Sequence, residues 1–247
     1  MKKIWFSIFD FSFSYKGPEP AFIDSGTLAW ARDFEKAVES IKKELHEYLS
    51  ENNLQSYFNT SMVSKPNSWK TIALKTWSVE LFKNQKKFPF TTALLNKYPQ
   101  IVSASFNLLS PNSNIHPHCG DTNAIYRCHL GIDIPAGLPD CGLKVKGEDK
   151  AWEDGKWMIF MDAYVHEAWN NTNKERYIFL VDVMREEFME YKGKGCSTVL
   201  TSLFLQKRAE KFKFLLNTKP LPVKFIAGAL RPLAQLSIFI SNKTKIF

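Results

Sequence analysis

The sequence predicts a mainly β body, a sandwich or barrel, with helices before it and a helical extension after it. Three observations carry this. From residue 101 onward, short runs rich in branched and aromatic residues (101–109, 127–134, 142–145, 156–161 and 176–183) alternate with Pro, Gly, Asn and Asp, the rhythm of a sandwich or barrel. Upstream, apolar residues recur at three-to-four spacing over 31–51. Beyond 190, the charge balance changes abruptly.

Taken in order, residues 1–20 are aromatic-rich and end in Lys-Gly-Pro-Glu-Pro, material for a loop or strand edge. Phe34, Val38, Ile41, Leu45 and Leu49, with Lys and Glu between them, predict an amphipathic helix over 31–51. His46 sits on it among charges and reads as a solvated residue. Residues 52–68, polar and containing Pro66, read as a loop. Residues 69–79 read as a strand, and Phe88-Pro89 leads into a short helix over 91–97. The β-rich runs follow. No internal repeat or low-complexity segment interrupts them.

Of the 247 residues, 45% are hydrophobic and 14% aromatic, which supplies a core and excludes wholesale disorder. Residues 1–190 hold 22 Lys and Arg against 24 Asp and Glu; residues 191–247 hold 11 against one acid, Glu210. The expected division is therefore a body over 1–190 and a basic, apolar extension over 191–247. The four cysteines show no pairing pattern and read as free thiols of a reducing compartment. The apolar run at the N-terminus is stopped by Asp10, so no signal peptide is expected, and no uncharged apolar stretch suits a membrane-spanning helix.

Chemistry concentrates in the middle of the chain. Of five histidines, His116, His118 and His129 fall within 14 residues, and His166 follows beside another strand-like run. Arg127 lies nine residues after His118, and Arg176 ten after His166. An oxygen-activating iron site needs a few ligands on one face and open positions beside them, and neutral imidazoles are suitable ligands. A guanidinium grips a carboxylate bidentately and keeps its charge. Arg127 and His129, two apart on a strand, share a face.

Pro117-His118-Cys-Gly120-Asp-Thr-Asn123, Arg127-Cys-His129-Leu-Gly131, the run from Trp157 through Asp162 and His166-Glu167-Ala-Trp169-Asn170, and Arg176 with Leu180-Val-Asp182-Val resemble the aspartyl/asparaginyl β-hydroxylase family over residues 69–187. The resemblance implies a double-stranded β-helix, of the jelly-roll or cupin kind, and an Fe(II)/2-oxoglutarate-dependent dioxygenase using O₂. It implies His118 and His166 as the iron ligands and Arg176 as the clamp for the distal carboxylate of 2-oxoglutarate. Arg127 and His129 are then helpers near the cosubstrate, and Trp169 a wall of the site. Most such oxygenases place Asp or Glu two residues after the first histidine. Here that residue is Gly120, which cannot coordinate, and the family resembles this chain in that gap. Where the family often has a small hydroxyl residue near the cosubstrate carboxylate, eleven before the first ligand, this chain has Asn107, which can still donate and accept hydrogen bonds there. Asp162 and Glu167 are expected to orient His166 rather than to move protons.

The family includes enzymes acting on Asp or Asn residues and bacterial enzymes acting on fatty-acyl chains of lipids. The tail leans the expectation toward a lipid acyl chain over a peptide. Its apolar and cationic residues interleave over 199–216 and 221–240, which suits an anionic membrane surface. Helices packed on the barrel account for the same pattern. The tail is too apolar for a polybasic arm, which disfavours nucleic acid. Lys224, Arg231 and Pro232 argue against a spanning helix. The corresponding location is cytoplasmic, peripheral on the inner face of the membrane. A reading of another class is a cupin-like metal protein using His116, His118 and His166 without 2-oxoglutarate turnover; a buried Arg176 would count against it.

Overall fold

The computed structural model describes residues 3–10, 15–211 and 220–245. Its strands are β1 (Phe22–Ile23), β2 (Gln55–Ser56), β3 (Trp69–Thr76), β4 (Val79–Glu80), β5 (Ile101–Leu109), β6 (Ser113–His118), β7 (Ile125–Asp133), β8 (Cys141–Val145), β9 (Glu148–Lys150), β10 (Trp157–Phe160), β11 (His166–Asn170) and β12 (Arg176–Met184). Its α-helices are α1 (Ala29–Lys36), α2 (Val38–Glu51), α3 (Phe82–Gln85), α4 (Pro89–Leu95), α5 (Lys192–Lys211) and α6 (Pro220–Thr244).

The strands form two antiparallel sheets. The larger runs β1-β10-β7-β12-β5-β3-β2, with β4 on β3; the smaller runs β6-β11-β8-β9. Of the eight strands from β5 to β12, β5, β7, β10 and β12 lie in the larger sheet and β6, β8, β9 and β11 in the smaller, so the chain crosses between sheets at every step except β8 to β9, the pattern of a jelly roll. This is the double-stranded β-helix expected from the sequence.

Alternation along the large sheet decides what faces where. Cys128, Leu130, Ile132, Trp157, Ile159, Phe179, Val181 and Val183 join the core on the helical side. Trp30 and Phe34 of α1 meet Trp157 edge-on there, at ring separations of 5.2 and 5.8 Å. The intervening residues, Asn107 on β5, Arg127 and His129 on β7 and Arg176, Ile178, Leu180 and Asp182 on β12, turn into the barrel.

The expected helix over 31–51 is broken at Ala37 (φ −95°, ψ 0°). The break lets Trp30 and Phe34 pack on β10 while Tyr48 of α2 reaches Phe88, 5.2 Å away. The buried carboxylate of Glu44 accepts from the Phe90 and Thr91 backbone N–H groups, at 2.6 and 2.9 Å. It thereby satisfies donors that the first turn of α4 leaves open.

The extension packs on this body. Cys196 and Val199 of α5 are fully buried in a cluster with Trp77, Ile125, Met184 and Phe188. The α6 helix lies against α5 and β4. Residues 212–219, which carry part of the basic run, lie outside the described residues, as do Met1 and Lys2. Among the described residues no helix is long and apolar enough to cross a membrane. All four cysteines are free.

Candidate active site

Two imidazoles meet where β6 and β11 pair. His118 and His166 are register partners, and their ring centroids are 4.2 Å apart. Ser113 and Ile115 face inward on β6, and strict alternation would turn His118 outward. A register shift between His166 and Ala168 re-aims it, as bulges do beside functional sites. The same irregularity leaves His116 exposed. An exposed His116 stands apart from His118 and His166, which corrects the three-histidine cupin reading.

Both rings are held the same way. His118 Nδ1 lies 2.7 Å from the His116 carbonyl and His166 Nδ1 2.8 Å from the Tyr164 carbonyl. A carbonyl only accepts, so each Nδ1 carries the proton and each Nε2 keeps its lone pair. Burial holds His118 down to about 3, with His166 beside it adding to the effect. Burial likewise holds His166 down to about 4. Both rings are therefore neutral at physiological pH, the state a metal requires.

Gly120 shows where a third ligand would normally stand. A Cβ there would lie 1.6 Å from Asp162 Oδ2. The Asp162 carboxylate, from the turn before β11, thus fills the space that a residue-120 side chain would need. The Gly120 N–H donates to the Asp162 carbonyl at 2.8 Å. Asp162 Oδ1 is 3.5 Å from His166 Nε2 and lacks a hydrogen-bond partner. No three His, Cys, Asp or Glu side chains converge as a ligand set among the described residues. The donor set is therefore two imidazoles with a carboxylate beside them.

Deeper in the barrel sits a buried cation. Arg176 is 2% exposed, and its Nε has no partner. No carboxylate among the described residues pairs with it. The Trp152 ring lies 4.5 Å from its guanidinium carbon, an attraction that holds the group in place. Burial lowers its pKa to about 10, which leaves it charged. The Trp152 indole N–H donates to His129 Nδ1 at 3.2 Å. Indole only donates, so His129 carries its proton on Nε2, and that buried atom also has no partner. Arg176 and His129 thus turn unsatisfied donors into the cleft that holds His118 and His166. An unpaired buried cation is costly, and a bound carboxylate satisfies both donors.

Arg127 is placed differently from the expectation. It stands opposite Asp182 in register, with Nε to Oδ1 at 2.9 Å and Nη2 to Oδ2 at 3.2 Å. Its Nη1 is 2.7 Å from Asp162 Oδ1, off the hydrogen-bond line. Burial pushes both carboxyls up while Arg127 pulls them down. With its charge committed to two acids, Arg127 positions Asp162 beside the imidazoles.

Three further expectations are corrected. The Asn107 amide is engaged, accepting from Trp69 Nε1 at 3.1 Å and donating to Ser105 Oγ at 2.8 Å; it steadies Trp69 at the cleft instead of offering a free donor. Trp169 lies on the outer face of the small sheet and donates to the Pro139 carbonyl at 2.7 Å, because three residues from His166 is an odd interval on a strand. Glu167 points outward toward Lys144. The Tyr164 carbonyl, not a carboxylate, fixes the His166 ring. Trp152 and the Asp182 partnership were missed. Trp152 lies in a segment without periodicity, and only the pairing register shows Asp182 opposite Arg127.

Beyond the imidazoles the cleft opens into a cavity of about 490 Å³ at the barrel mouth, within the range of small-molecule sites. Trp69, Asn107, His118, Arg127 and Leu180 border both spaces. The charges in its wall are engaged: Lys75 with Glu80 at 2.8 Å, Arg127 with Asp182, and Asp121 with Ser202 at 2.7 Å.

The family model described as aspartyl/asparaginyl beta-hydroxylase matches residues 35–186. An ornithine lipid ester-linked acyl 2-hydroxylase of Rhizobium tropici is 31% identical over 186 residues, 73% of this chain and 66% of that protein. The aspartyl/asparaginyl beta-hydroxylase of Homo sapiens is 36% identical over 107 residues, 41% of this chain and 14% of that protein. The chain thus spans just under two thirds of the first relative and a small part of the second. A solved prolyl-4-hydroxylase from Pseudomonas putida shares 14% identity at a TM-score of 0.43, over 61% of this chain and 87% of that one.

Proposed function

Since the chain belongs to the aspartyl/asparaginyl β-hydroxylase family, we propose that it is an Fe(II)/2-oxoglutarate-dependent dioxygenase that hydroxylates an unactivated C–H bond of a lipid acyl chain. The observation that carries the reading is Arg176, a buried guanidinium with no carboxylate partner among the described residues, turned into the same cleft as two neutral imidazoles. That arrangement fits a metal and a dicarboxylate side by side. Iron(II) with 2-oxoglutarate and O₂ supplies the oxidising power: one oxygen atom enters the substrate, the other enters succinate, and CO₂ leaves.

This chain's residues supply position and environment. His118 and His166 would hold the metal through Nε2, each fixed by a backbone carbonyl. Asp162, held by Arg127, adds negative charge beside a site that lacks an anionic side-chain ligand. Arg176 and His129 would take the distal carboxylate of the cosubstrate. Ile115, Leu143, Phe160 and Leu180 keep the cleft apolar, which strengthens each charge interaction inside it.

Two observations favour an acyl chain over an Asp or Asn side chain. The charged groups in the cavity wall already have partners, so none is left for a substrate carboxylate, whereas an uncharged chain needs none. The Rhizobium relative also matches over a longer stretch than the human one. The identity to the human enzyme supports Asp or Asn hydroxylation as the second reading.

A membrane seat completes the proposal. Phe225, Ile226, Leu233, Leu236, Phe239 and Ile240 of α6 are exposed and fall on one face at helical periodicity. Residues 191–247 carry 11 cations against one acid. An apolar stripe on a basic segment suits the interface of an anionic bilayer, and the inner face of the cell membrane provides one.

The experiment is succinate release from 2-oxoglutarate with Fe(II) and O₂. His118→Ala and His166→Ala should each lower it at least about a hundred-fold, in the range lost when chemical groups are removed. Activity retained in either variant would overturn the ligand assignment.

A further inference from the structure

The cavity at the barrel mouth has one wall that lies beyond the family match. The matched region ends at residue 186, yet Leu203 and Gln206 of α5 line the cavity together with Trp77, Ser103, His118 and Gly120. The register places this wall within the barrel. Along β12, Arg176 pairs with Leu109 at one end, Leu180 with Ser105 and Asp182 with Ser103 further on. Met184, at the far end, belongs to the same buried cluster as Cys196 and Val199 of α5, with Leu203 packed against it. So α5 flanks the end opposite Arg176, the end at which the imidazoles open into the cavity.

The helix is tied to the loop that carries His118. Ser202 Oγ donates to Asp121 Oδ1 at 2.7 Å, and Gln206 Nε2 donates to the same oxygen at 3.2 Å. On the other side, the Ser7 N–H donates to the Asp121 carbonyl at 2.9 Å. The loop is thus clasped between α5 and the N-terminal segment. Ser202 is 3% exposed and anchors the helix, while Leu203, one residue on, faces the cavity half-buried.

We propose that α5 is a wall of the substrate passage, with Leu203 setting the width available to an acyl chain and the Ser202–Asp121 clasp fixing that wall relative to His118. This rests on the acyl-chain reading above and adds its specificity-determining residue. It also gives the extension a role at the site: α5 borders the passage, while α6, packed on α5, presents the apolar face.

The test is binding of a slender fluorescent fatty acid, cis-parinaric acid, and of a bulky pyrene-tipped fatty acid to the full chain. The parent should bind the slender probe. Leu203→Trp should weaken that binding by at least about ten-fold, without a matching loss of 2-oxoglutarate binding to the metal-loaded protein. Leu203→Ala should bind the bulky probe at least about ten-fold more tightly than the parent, and this variant carries the test if the tryptophan variant fails to fold. A parent that binds neither probe would overturn the proposal. So would folded variants that bind both probes as the parent does, or a loss of 2-oxoglutarate binding parallel to the loss of probe. Succinate release by the parent is read separately. Its absence beside the expected binding pattern would reject the hydroxylase reading and leave the wall standing.

Discussion

Asp162 and Gly120 share one small volume, and that exchange is the most specific feature at the residue scale. The carboxylate that a three-ligand site would carry at residue 120 is excluded by one already present, 1.6 Å from where a Cβ would be. Gly120→Asp alone should therefore overpack the site, at a cost of about 1–3 kcal/mol, and weaken binding of Mn(II), a surrogate for Fe(II). Gly120→Asp with Asp162→Gly relieves the clash and should recover stability in thermal melts; a double variant no more stable than the single one would show that the two side chains do not compete. The imidazoles give a second prediction. Their folded values, about 3 and about 4, lie below the ordinary histidine value near 6.5, so folding disfavours their protonation. Each contributes stability to the metal-free protein above about pH 6.5, lost as pH falls toward those values. At pH 5.5, ¹⁵N spectra should show both rings neutral and protonated on Nδ1; an imidazolium signal from either would contradict the assignment.

At the scale of elements, much of the site is legible because a strand repeats every two residues. Arg127 and His129 on β7, and Arg176, Ile178, Leu180 and Asp182 on β12, face inward as alternation requires. Trp169 is legible in the same way, since its odd interval from His166 turns it outward. The register shift that re-aims His118 arises from pairing between two strands distant in sequence, so no local pattern signals it. The contact from Trp152 to His129 and Arg176 is hidden for the same reason, because it comes from a loop that only the closed barrel brings near. The break at Ala37 follows from two packing partners, Trp157 and Phe88, which an amphipathic stripe does not reveal. The α6 helix carries its own prediction. Phe225→Glu, Leu233→Glu and Phe239→Glu together should cut binding to anionic vesicles by at least about ten-fold and leave succinate release intact. Undiminished vesicle binding would reject α6 as the contact.

For the whole molecule, the jelly roll supplies a frame in which two distant strand pairs place two neutral imidazoles and a buried cation in one cleft. Helices on the back of the large sheet fill its outer face, with Phe34 stacked 6.2 Å from Phe179, and the basic extension borders the open end. The frame and the pair of facing imidazoles are the parts most readable from sequence, through strand rhythm and histidine spacing. The fit of the extension to the barrel is the least readable, because its apolar residues suit a protein core and a bilayer equally. The central claim is that His118, His166 and Arg176 hold iron and 2-oxoglutarate together. The most direct test is the visible charge-transfer absorption that Fe(II) develops when a 2-oxo acid chelates it without oxygen. The parent should develop the band on addition of 2-oxoglutarate, His166→Ala should not, and Arg176→Ala should need at least about ten-fold more 2-oxoglutarate. A parent without the band, or an Arg176→Ala variant that saturates at the parent's concentration, would contradict the account.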